Sequence, residues 1–111
     1  MEKILYLDLD GVFVNFIEGW MDHYVIMDRK PAILKMNLRE AFDADKIMFL
    51  SHSVSEDCRI GKQLWVNKHF PDLGDSLITV SDSRLKSKFA NQNSVLIDDK
   101  FETCVEFVRG R

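Results

Sequence analysis

Four short apolar runs, Lys3–Leu7, Ile47–Leu50, Leu77–Val80 and Val95–Ile97, each give way to polar or ionisable residues within a few positions. Runs this brief suit buried strands better than helices, and the Gly11 that follows the first supports that reading. The segments between them change period. Phe13, Phe16, Ile17, Trp20, Met21, Tyr24 and Val25 recur at helical spacing and predict a helix over Val14–Val25 with one apolar face. A polar stretch with Pro31 follows, and Asn37 caps a short helix through Phe42, with Glu40 placed to reach back.

After the second run, Ser53 with Glu56 three residues later reads as a capping box. It opens a helix to about His69 whose apolar face uses Ile60, Leu64, Trp65 and Phe70, and Pro71 ends it. A short helix is expected over Arg84–Ala90. Phe101, Cys104, Val105 and Val108 mark a last amphipathic helix.

Strands alternating with helices build a parallel sheet with right-handed crossovers. The expected architecture is therefore α/β: a Rossmann-like three-layer sandwich with a small parallel sheet of about four strands. A chain of 111 residues suits one domain. A net charge of −3 gives no general basic footprint for nucleic acid. Asp8 and Asp10 interrupt the first apolar run, and no stretch is long and apolar enough to span a bilayer. Cys58 and Cys104 lie far apart and outside any metal-ligand spacing, so they are expected as free thiols. A cytoplasmic protein without membrane contact is the expectation.

In parallel α/β sheets, ligands bind beyond the carboxyl ends of the strands. Asp8 and Asp10 follow the first strand, Ser51 the second, Lys86 comes soon after the third, and Asp98–Asp99 follow the fourth. Carboxylates converging in one cleft repel each other, and a hard divalent cation such as magnesium relieves that conflict. One carboxylate can then attack phosphorus, and a second, two residues on, can serve as general acid and base. A serine hydroxyl and a lysine ammonium suit the equatorial phosphate oxygens, with backbone N–H groups of Leu9 to Gly11 adding donors. Either Lys86 or Lys88 is placed to reach the cleft, with Lys86 favoured. The plainer roles are a turn at Asp8–Gly11, a helix cap at Asp98–Asp99, a cap or turn at Ser51, and core positions for the aromatics. Phe13 or Phe16 at the cleft border is a candidate for stacking on a base, and His52 for lining the pocket.

Asp8-Leu9-Asp10-Gly11-Val12 resembles the first motif of the haloacid dehalogenase superfamily. Met48-Phe49-Leu50-Ser51 resembles its second, Lys86 within Arg84–Ala90 its third, and Leu96-Ile97-Asp98-Asp99 its fourth. Gly61–Val66, His69-Phe70-Pro71 and the run through Asp98-Asp99-Lys100 are similar to the 5′(3′)-deoxyribonucleotidase-like branch and its phage relatives. The resemblance implies a magnesium-dependent phosphatase with Asp8 as nucleophile and Asp10 as general acid and base. It implies phosphate binding by Ser51, Lys86, Leu9 and Gly11, and a metal site of Asp8, the Asp10 carbonyl, Asp98 and Asp99. It also implies a minimal cap, a small helical insertion over residues about 14–45. The branch usually has Asn where this chain has Thr103, and it continues past a Gly-Gly where this sequence reads Arg109-Gly110-Arg111. A homodimer covering an exposed sheet edge is the corresponding expectation.

The order of the motifs separates this chain from other acidic α/β folds. A receiver domain carries its acidic pair after the first strand but its phosphorylated Asp alone after the third, and a Toprim domain begins with Glu. The expected substrate is a small phosphomonoester, a nucleotide first, with a nucleic-acid terminal phosphate as the alternative. A binding or regulatory protein of the same fold without turnover is the competing class.

Overall fold

The strands pair through a staggered ladder that sets the position of everything else. The computed structural model describes residues 2–9 and 42–111. The expected helices over 14–25 and from Asn37, most of the cap-like insertion, Asp10 and Gly11 lie outside the described residues. Strand β1 (Ile4–Leu7) is followed by β2 (Lys46–His52), helix α1 (Glu56–His69), a 3-10 helix (Pro71–Ser76) and β3 (Leu77–Val80). A second 3-10 helix (Ser83–Phe89), β4 (Ser94–Ile97) and helix α2 (Phe101–Arg109) complete the order. All strand pairs are parallel, and the order across the sheet is β3-β2-β1-β4. The α/β class and the small four-stranded parallel sheet match the pattern of short apolar runs.

Strand β2 is longer than its apolar run. Its first half pairs with β1, as Leu7 with Phe49, and its second half pairs with β3, from Phe49 with Leu77 to His52 with Val80. Ser51 therefore lies inside the strand and not just after it. Hydrogen bonding to a neighbour, which a hydropathy run does not record, carries the strand through Ser51 and His52.

Alternate residues of β1 face opposite layers. Leu5 and Leu7 join Phe49, Trp65, Val66 and Phe70 on one face. Tyr6 joins Leu50, Val80 and Phe107 on the other, with Leu85 and Phe89 packed against them. Helix α1 thus covers one face, and the second 3-10 helix with α2 covers the opposite one. Each fully buried Leu or Phe contributes about 1.5–3 kcal/mol, so these two clusters hold the sheet between its layers. No helix among the described residues is long and apolar enough to cross a membrane.

Both packed helices are rotated from the faces expected, although Trp65 and Phe70 are buried as anticipated. Along α1 the buried stripe is Cys58, Gly61, Lys62, Trp65 and Val66, while Ile60 and Leu64 are exposed. Along α2 the buried residues are Thr103 and Phe107, while Phe101 and Val108 are exposed. In each case the large aromatic that fits the sheet, Trp65 or Phe107, orients the helix. The short helix expected over Arg84–Ala90 is present as the 3-10 helix Ser83–Phe89.

The cap of α1 is Ser55, two residues later than Ser53. Its Oγ accepts the Cys58 amide at 3.1 Å. Ser53 instead donates its amide to the Val80 carbonyl at 2.9 Å, extending the strand ladder. Its buried Oγ has no hydrogen-bond partner among the described residues. Ser55→Ala is expected to lower stability by about 1 kcal/mol. Ser53→Ala, which removes an unpaired hydroxyl, should change it by less than about 0.5 kcal/mol. Urea unfolding of the two variants measures the difference.

Candidate active site

The strand order has a consequence for chemistry. The chain leaves β1 toward β2 and β3, then crosses back to β4 on the other side of β1. The switch point therefore falls between β1 and β4, where open α/β sheets bind ligands. Asp8 and Asp98 stand at that point. The Asp8 amide donates to the Ile97 carbonyl at 3.0 Å, so the ladder runs one rung past β1 and sets Asp8 beside the end of β4.

Asp8 is 6% exposed and Lys86 is 2% exposed. The Lys86 ammonium lies 3.2 Å from Asp8 Oδ1 and 2.7 Å from Asp98 Oδ2, bridging the two carboxylates. Burial pulls the Lys86 ammonium toward its neutral form, but the Asp8 charge and the hydrogen bond and charge of Asp98 outweigh it. The net pKa is raised above the ordinary lysine value. Lys88 is exposed, so Lys86 is the lysine that enters the cluster.

The second oxygen of Asp98, Oδ1, accepts the Lys100 amide at 3.0 Å. Asp98 and Asp99 do not cap α2, whose N-cap is Lys100 without a side-chain cap bond; Asp98 instead closes a local turn, and this bond coexists with its ion pair. Asp99 is exposed, and carboxylate oxygens of Asp8, Asp98 and Asp99 lie within 4.8 Å of one another. Among the described residues, three carboxylates meet one ammonium at this cluster, which leaves an excess of negative charge. Hard oxygen donors with one exposed member match what a partly hydrated magnesium ion takes, so these residues fit the expected metal. Cys104 donates its Sγ–H to the Asp98 carbonyl at 3.3 Å. Burial, then the Asp98 charge, raises its pKa, which keeps it a thiol and not a metal-binding thiolate. Both cysteines are free.

Ser51 is fully buried and is touched by a lysine that the sequence pattern did not single out as functional. Lys62 Nζ donates to Ser51 Oγ at 2.7 Å and also to the His52 carbonyl. A signal for it existed: Lys62 falls on the stripe of Cys58, Gly61, Trp65 and Val66, where a lysine is out of place. His52 donates Nε2–H to the Ser81 carbonyl at 3.0 Å. It lines a polar cleft of about 380 Å³ with residues that include Arg84, Lys100, Thr103 and Glu106. Leu9 is fully buried beside Asp8. Asp10 and Gly11 are not among the described residues.

No protein-family model, curated protein or solved structure matches the chain.

Removing the ammonium would leave two buried carboxylates without their shared counter-charge. Lys86→Met is expected to cost about 3–5 kcal/mol, measured by urea unfolding at neutral pH in the absence of divalent cations. The 3-10 helix that carries Lys86 is capped by Asp82, whose Oδ1 accepts the Arg84 amide at 2.9 Å. Hydrogen bonds from the Arg84 side chain, then from its amide, hold the Asp82 carboxyl at about 2. A depressed carboxylate contributes stability above its unfolded value of about 3.9 and loses it as pH falls through the folded value. The difference in thermal midpoint between wild type and Asp82→Asn should be constant near neutrality and shrink as pH falls from about 4 toward about 2.

Proposed function

We propose that the chain is a magnesium-dependent phosphohydrolase of the haloacid dehalogenase type, acting through an aspartyl-phosphate on Asp8. The observation that carries this reading is the meeting of Asp8, Asp98 and Asp99 beside buried Lys86 at the switch point of the sheet. Asp8, Asp98 and Asp99 would hold the magnesium ion, with the Asp10 carbonyl added by the resemblance. The metal, when bound, supplies neutralising charge for the phosphate oxygens.

The Asp8 carboxylate attacks phosphorus, forming an Asp8 O–P bond as the bond to the leaving oxygen breaks. Asp10 gives its proton to that oxygen, then takes one from the water that attacks the aspartyl-phosphate. Inorganic phosphate leaves and Asp8 is restored. Lys86 and Ser51 hold phosphate oxygens, and the amides of Leu9 and Gly11 add donors.

The substrate we favour is a small phosphomonoester, a nucleotide among the first to test. The cleft beside the site is lined by the cations Arg84 and Lys100 and the carboxylates Asp82, Glu102 and Glu106. Among the described residues, two positive side chains against three negative ones give no excess of positive charge for a polyanion. That balance favours a small polar ester over the end of a nucleic acid.

The test is hydrolysis of p-nitrophenyl phosphate, nucleotides, sugar phosphates and end-phosphorylated oligonucleotides. Wild type should turn over in magnesium and stop in chelator, and Asp8→Asn should lose at least about 10³-fold in rate. Asp10→Asn should accept phosphate slowly and stall in hydrolysis. No turnover on any substrate, or equal rates in wild type and Asp8→Asn, would overturn the proposal.

A further inference from the structure

Lys62 is 1% exposed, a rare station for a lysine, and the reaction as drawn does not use it. Helix α1 presses it against the sheet on the same stripe as Gly61, Trp65 and Val66, and its ammonium reaches the edge formed by the end of β2. There it donates to Ser51 Oγ at 2.7 Å and to the His52 carbonyl.

The direction of the first contact is fixed by chemistry. An ammonium has donors and no acceptor, so Ser51 Oγ must accept from Lys62. The hydroxyl proton of Ser51 must then go elsewhere, and no acceptor for it is found among the described residues. Ser51 is fully buried at the carboxyl edge of the sheet, where a proton without a protein acceptor is suited to an anionic oxygen. Lys86 enters the same edge from the opposite layer, on the 3-10 helix that packs against Tyr6, Leu50 and Phe107.

We propose that Lys62 is a positioning residue of the phosphate site, fixing Ser51 as a hydrogen-bond donor to a substrate phosphate oxygen. It also brings a second buried positive charge to the edge, opposite Lys86. This role rests on the phosphohydrolase reading given above. A lysine that merely tied α1 to β2 would affect folding and leave the affinity for phosphate unchanged.

The experiment is calorimetric binding of inorganic phosphate, with magnesium present, to wild type, Ser51→Ala, Lys62→Met and the double variant. Lys62→Gln is included because it keeps a polar group of similar length that can also accept from Ser51. Ser51→Ala and Lys62→Met should each weaken phosphate about tenfold or more, the scale of one hydrogen bond to a charged group. The double variant should be little weaker than the worse single one, because both remove the same contact. Lys62→Gln should also weaken phosphate while remaining folded by circular dichroism. Wild-type affinity in both Lys62 variants, additive effects of Lys62→Met and Ser51→Ala, or failure of both Lys62 variants to fold would overturn the role of Lys62 alone. Absence of phosphate binding by wild type would overturn the phosphohydrolase reading and this role with it.

Discussion

Asp8 leaves the end of β1 into a place that water scarcely reaches, and a carboxylate so placed is tolerable only with a partner. Lys86 is that partner, and it serves Asp98 at the same time. The remaining structure has to make this meeting possible. Strand β4 must lie beside β1 to bring Asp98 to Asp8, which sets the sheet order. The 3-10 helix must be held by Leu85 and Phe89 against the Tyr6–Phe107 cluster, and by the Asp82 cap, to deliver Lys86. A shift in any of these elements would strand a buried charge at a cost of several kcal/mol. Fold and site are thus specified together.

Among the described residues the bridge is incomplete as a balance of charge: one ammonium stands against three carboxylates, and the exposed member, Asp99, opens the cluster toward solvent. A structure selected for stability alone would have no reason to crowd like charges at a switch point, and such local conflicts are expected where a site needs them. The two layers each send one buried lysine to the sheet edge, Lys62 from α1 to Ser51 and Lys86 from the 3-10 helix to Asp8 and Asp98.

Much of this was legible in the sequence because strands are short and their ends are marked. The run Leu77–Val80 is a strand over those same residues, and Ile4–Leu7 and Ser94–Ile97 differ from their apolar runs by one residue. Asp8, Lys86, Asp98 and Asp99 follow from being placed after strands of a parallel sheet, and the structure brings those four together. What was not legible depended on partners distant in sequence. Pairing with β3 carries β2 through Ser51, and the same ladder takes the Ser53 amide, leaving the cap to Ser55. The inward faces of α1 and α2 are chosen by Trp65 and Phe107 fitting the sheet, against the apolar appeal of Ile60, Leu64, Phe101 and Val108. Lys62 escaped because a lysine in a helix is ordinarily assigned to solvent, whereas here its ammonium finds the Ser51 and His52 oxygens inside. Between Lys86 and Lys88 the sequence favoured Lys86, and the winding of the 3-10 helix turns Lys86 inward and leaves Lys88 exposed.

The central claim is that the Asp8 carboxylate is the atom group that receives phosphorus. Beryllofluoride, which mimics a phosphoryl group on a carboxylate, tests it without knowledge of the substrate. Fluorine NMR of the protein with magnesium and beryllofluoride should show a protein-bound resonance in wild type that is missing in Asp8→Asn and in chelator. A bound resonance that persists in Asp8→Asn, or none in a folded wild type, would contradict the account.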